Sequence, residues 1–180
     1  MAILGVNDFK SKLRGGGARP NLFQVILGFP AYVDGDTELA SFMCKGATLP
    51  ASSMNPIPIF FRGRQLQIAG DRTFEPWTVT ILNDTNFKIR RAMEQWMNGI
   101  NAHEANTGVT DPNAYQRDLR VQQLDKDGSV LYEYAFRGAF PTSVSSIDLS
   151  YEAIDTIEEY QVEFQIQYWE SFSPEGQVTS

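Results

Sequence analysis

The sequence is poor in the residues from which most catalytic and metal sites are built. Its 180 residues include one cysteine, Cys44, and one histidine, His103. A single cysteine cannot form an internal disulfide, and one histidine without a second histidine or another cysteine supplies too few ligands for zinc. His103 also lies in a polar stretch without the partners of a catalytic triad. We therefore expect no enzyme activity, no metal and no cofactor.

Long apolar runs and an excess of positive charge are missing as well. No stretch approaches the roughly 18 consecutive apolar residues of a membrane helix, and the first residues lack the apolar region of a secretory signal. The formal net charge is -7, from 22 acidic and 15 basic residues. Because nucleic-acid binding depends on Lys and Arg that neutralise phosphates, we expect neither membrane insertion nor specific binding of DNA.

What the sequence does contain is a succession of β patterns. Short apolar or alternating runs are separated by turn residues such as Gly63 and Asp127-Gly128, which is typical of a mainly β chain. Strands are predicted at 22–29, 39–45, 57–62, 64–69, 73–82, 119–124, 130–136 and 159–168.

One helix interrupts these strands. Apolar residues recur at the helical period between Ile89 and Ile100, whereas Lys88, Arg91 and Glu94 lie off that stripe. Such a stripe predicts a helix at about 86–99, capped by Asp84 or Thr85, ended by Gly99 and packed on a sheet.

The last predicted strand has the clearest pattern. Apolar residues from Tyr160 to Tyr168 alternate strictly with polar ones, so one face is predicted to be core and the other to meet water. The polar face has no lysine or arginine and consists of Glu159, Gln161, Glu163, Gln165 and Gln167.

Three segments look less regular than the rest. Residues 1–17 form a predicted N-terminal arm ending in three glycines, residues 101–117 a long polar loop, and residues 171–180 a C-terminal tail. Glycine runs and long polar loops are flexible in isolation, and we expect the arm and the loop to become ordered against a partner. The β domain is predicted at 18–170.

Asp71 and Arg72 are predicted to lie in a turn before the strand 73–82. Asp71 and Glu75 would stand about 13 Å apart at ~3.3 Å per strand residue, which does not fit a two-carboxylate hydrolase. An ion pair between Asp71 and Arg72, within the chain or across a subunit boundary, explains the pair better than catalysis.

Several strings carry a family likeness. The stretches ARPNLFQV (18–25), TLP (48–50), AGDRTFEPWTVTILND (69–84), FPTSV (140–144) and YWE (168–170) closely resemble, in order and spacing, the tail-tube protein of contractile-tailed bacteriophages. The resemblance implies a β-sandwich or barrel-like fold with one flanking helix, assembled into hexameric rings with an inner β-barrel.

The resemblance also implies partners and a location. Such rings stack into a tube inside a contractile sheath, nucleated by the baseplate, measured by a tape-measure protein and closed by a tail terminator. The tube passes viral DNA into the host, and it belongs to a virion assembled in the host cytoplasm. By this reasoning Glu159, Gln161, Glu163, Gln165 and Gln167 are predicted to face the lumen, where acidic groups would repel DNA. Predicted contacts between subunits or rings are Arg19, Asp71, Arg72 and His103.

Two alternatives remain open at this point. The first is the tube of a contractile injection particle, such as a pyocin or a type VI secretion system, which would not carry genomic DNA. The second is a carbohydrate-binding β-sandwich that stacks sugars on Trp77, Trp96 or Trp169, although Trp77 and Trp96 lie on apolar stripes and are predicted to be core.

Overall fold

The computed structural model describes residues 5–13 and 17–178 and is mainly β. In these ranges the strands are β1 (Phe23–Ile26), β2 (Cys44–Ala47), β3 (Ser52–Phe61), β4 (Arg64–Phe74), β5 (Trp77–Leu82), β6 (Arg117–Leu124), β7 (Val130–Val144), β8 (Glu159–Gln165), β9 (Tyr168–Ser173) and β10 (Gly176–Gln177). The helices are α1 (Val6–Lys12), α2 (Thr37–Met43), α3 (Lys88–Ile100) and α4 (Pro112–Tyr115).

The long strand β7 connects two layers of the fold. Its first part pairs with β6 and β9, and its last residues pair with β8, which continues the path β1-β6-β7-β8-β5-β2. Trp77 of β5 stacks on Phe136 of β7 with ring centroids 4.2 Å apart. The two layers therefore face each other across a shared core, and the predicted β-sandwich is confirmed.

Helix α3 covers this core with the predicted apolar stripe. Ile89, Ala92, Met93 and Trp96 are buried, and Trp96 packs against Phe164 of β8 at 6.1 Å between ring centroids. Burying an isoleucine or methionine side chain contributes roughly 1.5–3 kcal/mol. Helix α3 therefore shields the core of the sandwich from solvent.

The ends of α3 differ in part from the prediction. The helix begins at Lys88 with Phe87, in a left-handed conformation, as its N-cap residue, so neither Asp84 nor Thr85 holds the predicted cap position, although Asp84 Oδ1 accepts a hydrogen bond from the Lys88 amide at 2.9 Å. Gly99, however, lies inside the helix, which ends at Ile100. A Cβ on Gly99 would come within 2.3 Å of the Tyr32 ring, so this glycine serves the close packing of Tyr32 rather than the helix end.

The predicted strand at 39–45 is wrong over most of its length. Residues Thr37–Met43 form α2, whose start is fixed by Asp36, a side chain that accepts from the Leu39 amide at 3.0 Å. Ala40 is buried. A short apolar run fits a buried helix and a buried strand equally well, and here the Asp36 cap favours the helix.

The predicted strand at 73–82 is divided at Glu75-Pro76. Phe74 ends β4 and Trp77 begins β5, so the Gly70-Asp71-Arg72 segment lies within β4 and is not a turn. Gly70 stands beside an irregularity in the pairing between Met54 and Pro56, and a Cβ on it would meet the Asn55 carbonyl oxygen at 2.3 Å. This glycine serves a close backbone approach.

The hairpin predicted around Gly63 is confirmed and is longer than expected. Strands β3 and β4 pair from Ser52 opposite Phe74 to Phe61 opposite Arg64. Its two turn residues, Arg62 and Gly63, both have positive φ, 49° and 80°, as in the two-residue turns that match strand twist. In this part of the chain, β3 and β4 form a two-stranded sheet of their own.

The alternation of the last predicted strand is confirmed up to Ile166, where buried and exposed residues take turns. Strand pairing of β8 ends at Gln165, and a second strand, β9, begins at Tyr168. Tyr168 was predicted to be core but is 46% exposed, because the chain passes to the other layer between these strands.

The irregular segments contain short elements. Helix α1 lies within the predicted arm, and the loop after α3 contains α4. Strand β9 continues into the predicted tail as far as Ser173. The parts of the arm at 1–4 and 14–16, including Gly15 and Gly16, and of the tail at 179–180 lie outside the described residues.

Candidate assembly surfaces

One sheet of the sandwich has a polar outer face. We call the four-stranded layer made of β2, β5, β8 and residues 140–144 of β7 the polar-faced sheet. Thr78 lies opposite Glu163 and Thr80 opposite Gln161 in its β5–β8 ladder, and Glu163 and Gln161 are exposed. The alternate residues of the same strands, such as Val79 and Val162, are fully buried. The face away from the core therefore carries hydroxyl, amide and carboxylate groups at these four positions, and Leu82, opposite Glu159, is an apolar residue at its end.

A lysine that the sequence pattern did not reveal joins this face. Lys45 of β2 forms an ion pair with Glu159, so the face is not lysine-free, contrary to what β8 alone suggested. Both side chains are about half exposed, at 56% and 46%, and such a pair contributes little to stability. Its effect is on charge, because it offsets one of the two β8 carboxylates on this face.

Two edges of the polar-faced sheet lack a neighbouring strand in the described part of the chain. Strand β2 pairs with β5 alone, and residues 140–144 of β7 pair with β8 alone. Unpaired edges present open rows of N–H and C=O groups that another chain can extend. The two open edges lie on opposite sides of the sheet, which permits each copy to pair with two others.

The edge strand β2 contains Cys44. Burial raises the pKa of its thiol to about 11, although a hydrogen bond with the Gly46 backbone acts in the opposite direction. The thiol is therefore protonated at neutral pH and is a poor nucleophile. Cys44 acts here as a packing residue.

The hairpin of β3 and β4 extends from the body and exposes apolar side chains. One of its faces carries Ile57, Ile59, Phe61, Leu66 and Ile68, which are 44–68% exposed. An isolated two-stranded hairpin is marginally stable in water, and an exposed apolar strand pair invites association. The base of the hairpin is tied to the body, where Phe74 packs edge-on against Trp169 at 6.2 Å.

A family comparison decides what these surfaces belong to. The family model described as phage tail tube protein matches residues 18–171, most of the chain. The chain belongs to the phage tail tube protein family. It is a structural component of the virion, in the contractile tail of a phage.

Relatives of this tail tube protein support the assignment. It is 35% identical over 156 residues to the tail tube protein gp19 of Enterobacteria phage T4, covering 85% of this chain and 91% of that one. It is 27% identical over 172 residues to the tail tube protein of Serratia phage KSP90, covering 93% and 96% of the two chains.

Solved structures share the fold of this tail tube protein at low sequence identity. The anti-feeding prophage tube-terminating cap matches with a TM-score of 0.63 at 17% identity, over 87% of this chain and 91% of that chain. A chain of the sheath-tube complex of an extracellular contractile injection system, in the extended state, matches with a TM-score of 0.60 at 13% identity, over 91% and 97%.

The predicted lumen residues of the tail tube protein do not all share one environment. Glu159, Gln161 and Glu163 lie together on the polar face. Gln165 is half-buried and donates to the Ile166 carbonyl at 3.4 Å. Gln167 follows the end of β8, and its backbone N–H donates to the Arg137 carbonyl oxygen at 3.0 Å.

The predicted interface residues are exposed and lie in separate parts of the molecule. Arg72 is in β4 opposite Met54, and neither Asp71 nor Arg72 forms an ion pair within residues 5–13 and 17–178. The predicted intrachain pair is therefore not formed. Arg19 precedes β1, and its carbonyl accepts from Gln123 Nε2 at 2.6 Å. His103 follows α3, and its amide donates to Asn98 Oδ1 at 3.1 Å.

A polar depression near Arg137 is about 840 Å³ in volume and open to solvent. Arg137 pairs with Asp118 and, at 2.7 Å, with Glu170. These hydrogen bonds raise the pKa of Arg137 above its usual value, and the bond to Asp118 has the larger effect. Because the cation is held between two carboxylates, the cluster stabilises the β6–β7–β9 layer and offers little charge to a ligand.

Aromatic stacking sites for sugars are absent from the expected positions. Trp77 and Trp96 are 1% and 0% exposed, as predicted for core residues. Trp169 is half-buried, with Tyr134 at 5.6 Å and Phe74 at 6.2 Å between ring centroids. Trp77 and Trp96 therefore present no open ring face, and Trp169 is half-buried among aromatic neighbours, so the carbohydrate-binding alternative loses most of its support.

No helix in the described ranges is long and apolar enough to cross a membrane. Within the same ranges no three His, Cys, Asp or Glu side chains are grouped to hold a metal ion.

Proposed function

We propose that six copies of the chain close into a ring through the polar-faced sheet, and that rings stack into the inner tube of the phage tail. The observation that carries this proposal is the pair of open edges on opposite sides of a sheet that is polar on one face only. Joining edge to edge removes both open edges, as in a closed barrel, and turns the polar face toward a channel. The ring number comes from the family resemblance.

The partners of such a tube follow from the family. The tube is surrounded by the sheath protein, begun at the baseplate, measured by the tape-measure protein and closed by the tail terminator. It assembles in the host cytoplasm and conducts viral DNA during ejection. The role is structural and not enzymatic.

The electrostatics of the polar face suit passage of DNA without binding. Lys45 offsets Glu159, so Glu163 leaves the face weakly acidic, and the remaining hydroxyl and amide groups are uncharged. A wall without excess positive charge cannot release the counterions that drive binding to phosphates. The predicted lumen therefore weakly repels the DNA backbone and does not bind it.

Assembly of the purified protein tests the proposal. Negative-stain electron microscopy at rising concentration, with mass photometry on the same samples, is expected to show rings of six copies that stack around a channel. Purified baseplates added to a persistent monomer provide a nucleus for growth. A protein that stays monomeric with baseplates present would overturn the proposal.

Charge reversal of the channel wall tests the role of the lumen. We expect E159K/E163K particles to eject DNA more slowly than the wild type. The two substitutions together change the charge of each copy by +4, and a positive wall attracts the phosphates of the DNA. The isosteric E159Q/E163Q variant removes both carboxylates, leaves Lys45 without its partner and adds half as much positive charge, so its ejection rate is expected to fall between those of the wild type and the lysine variant. Unchanged ejection by the lysine variant would show that this face does not line the channel.

Sequence similarity to known proteins favours a phage tail with DNA as its cargo over the injection-particle alternative. The curated phage relatives are 27% and 35% identical to the chain, whereas the injection-system structures are 13% and 17% identical and share the fold alone. The phage tail is therefore the assignment that we adopt.

A further inference from the structure

The four strands of the polar-faced sheet alternate in direction. Strand β7 pairs antiparallel with β8, β8 with β5, and β5 with β2. In the proposed ring, rotation about the tube axis keeps these directions, so β2 of one copy and residues 140–144 of β7 in its neighbour run antiparallel. The sheet also keeps its ends: where Leu82 lies opposite Glu159, which we call the Glu159 end, all copies point the same way along the tube.

The backbone pairing at this junction is too short to fix its own register. Strand β2 has four residues, CKGA, and the opposing edge of β7 contains Pro141, which has no N–H to donate. A shift by two residues leaves the same side chains on each face of the sheet, so the alternation of polar and apolar residues does not exclude it. A side-chain contact outside the ladder is needed to select one register.

An exposed aromatic side chain stands at the β2 edge. Phe42 of α2 is 79% exposed, although α2 itself is held on the core by the buried Ala40. Strand β2 begins at Cys44, opposite Ile81, and runs away from the Glu159 end. Because α2 directly precedes β2, Phe42 lies at the Glu159 end of this edge.

The loop of residues 145–158 lies at the same end and at the opposite edge of the sheet. It leaves β7 after Val144 and enters β8 at Glu159. At its start, Ser145 donates its backbone N–H to the Gln161 carbonyl oxygen at 2.9 Å, which holds the loop against the end of β8. The loop therefore continues the β7 edge at the Glu159 end.

This loop exposes a large apolar surface around a groove. Its exposed apolar and aromatic side chains are 71–107% exposed, and they are Leu149, Tyr151, Ile154 and Ile157. The groove is about 310 Å³ in volume, and its apolar lining is Ile147, Leu149, Ala153 and Ile157. This volume is at the lower end of sites that enclose a small ligand and accommodates one aromatic ring. Exposed apolar surface of this kind marks a site of protein contact.

We propose that Phe42 of one copy inserts into the groove of the 145–158 loop of the neighbouring copy in the same ring. The inference rests on the proposed ring, whose junction brings the β2 edge of one copy to the β7 edge of the next with both features at the Glu159 end. An aromatic side chain in an apolar pocket is a typical interface anchor. The contact selects the register of the junction, and because each copy gives one Phe42 and receives another, it is satisfied throughout only in a closed ring.

Helix α1 is the alternative occupant of the groove, because its Phe9 is 65% exposed. No residue of α1 is buried, so packing does not fix the helix relative to the groove. Phe42, in contrast, lies two residues before Cys44, the first paired residue of β2. Edge pairing carries Phe42 to the neighbour's groove at no further cost in chain ordering, and for this reason we assign the groove to Phe42.

Disulfide trapping with both partners on one chain tests the assignment. In a C44A background, F42C/A153C protein is oxidised mildly at rising concentration and separated on a non-reducing denaturing gel. A contact within the ring is expected to give a covalent ladder that ends at six chains, the proposed ring number, because the last disulfide closes the ring. The matched control is L49C/A153C: Leu49 is 51% exposed but follows the other end of β2, and we expect at most a trace of ladder.

Each outcome of the trapping decides the assignment. A ladder no stronger than that of the control would overturn it, and so would an open-ended ladder, which would place the occupant of the groove in another ring. Stronger trapping by F9C/A153C than by F42C/A153C would assign the groove to α1. Wild-type tubes without an F42C–A153C ladder would refute the contact and leave the proposed tube standing, whereas a ladder closed at six chains without tubes would keep the contact and refute the tube.

Removal of the aromatic ring tests its contribution to assembly. Because Phe42 is exposed in the single chain, we expect F42S to leave the thermal denaturation of the monomer unchanged. It is expected to raise the concentration needed for tube formation about tenfold or more, since the burial of one large apolar side chain is lost. F42L, which keeps an apolar side chain, is expected to restore most of the assembly. An F42S protein that assembles at the wild-type concentration would overturn the assignment.

Discussion

Trp77 and Phe61 are only 16 positions apart, yet one is 1% exposed and the other 68%. Both lie in β-strands with alternating apolar residues. The difference is the second layer: Trp77 stacks on Phe136 across the sandwich, whereas no element of the described chain covers the hairpin. The body stabilises the single chain, whereas the hairpin leaves its apolar face exposed, and we propose that this face contacts other copies.

This comparison predicts that mutations in the two regions have separable effects. Changes in the body are expected to lower the stability of the monomer. Changes in the hairpin are expected to spare the monomer and to weaken assembly. The following substitutions test that separation, beginning with the largest effect.

Phe164→Ala is expected to lower the free energy of unfolding by about 3–5 kcal/mol. Phe164 is fully buried and contacts both Trp77 and Trp96, at 5.9 and 6.1 Å between ring centroids. Urea denaturation of the monomer, followed by circular dichroism, measures the change. A loss below about 1 kcal/mol would mean that the core packs less tightly than the contacts indicate.

Arg72→Ala is expected to leave the monomer folded and to block tube growth. Arg72 is exposed in β4 and forms no ion pair in the described ranges, so its loss removes no intrachain partner. Thermal denaturation and sedimentation of tubes measure the two effects, with Arg72→Lys as the charge-preserving control. A destabilised monomer with normal tubes would assign Arg72 an intrachain role.

Leu66→Ser is expected to raise the concentration needed for tube formation by about tenfold or more. Leu66 is 60% exposed in the monomer, and burial of a leucine in an interface contributes roughly 1.5–3 kcal/mol. The change in monomer stability should stay within about 0.5 kcal/mol, as for other exposed positions. Gln65→Ser, on the opposite face of the hairpin, is the control, and an equal effect of both would remove the distinction between the faces.

Cys44 gives the smallest effect and reports on the sheet edge. With a thiol pKa of about 11, its alkylation at pH 8 should be slow and should rise about tenfold per pH unit until that pKa is approached. The thiol of the urea-unfolded chain serves as the reference. Equal rates in folded and unfolded protein at pH 8 would show that β2 does not bury this residue. In assembled tubes, pairing of the β2 edge should slow the reaction further.

The sequence predicted the regular parts of the molecule because their patterns are local. The alternation from Glu159 to Ile166, the α3 stripe and the hairpin turn at Arg62-Gly63 all follow from spacing within one element. The 39–45 segment was predicted wrongly, because a short apolar run does not distinguish helix from strand until a cap such as Asp36 is considered.

The assembly surfaces were harder to predict because they depend on pairing between distant segments. Lys45 meets Glu159 only because β2 and β8 flank β5. The position of Gly70 to Arg72 inside a strand depends on the length of the β3–β4 pairing. The exposed face of the hairpin did have a signal, the alternation of Ile57, Ile59 and Phe61, but the sequence could not show that it lacks a covering layer.

The central claim is that the polar-faced sheet closes edge to edge around a channel. A helical cryo-electron microscopy reconstruction of the assembled tube tests it most directly. We predict that β2 of each copy pairs with residues 140–144 of β7 in its neighbour and that Gln161 and Glu163 line the channel. A tube in which these edges stay apart, or in which this face points outward, would contradict the account.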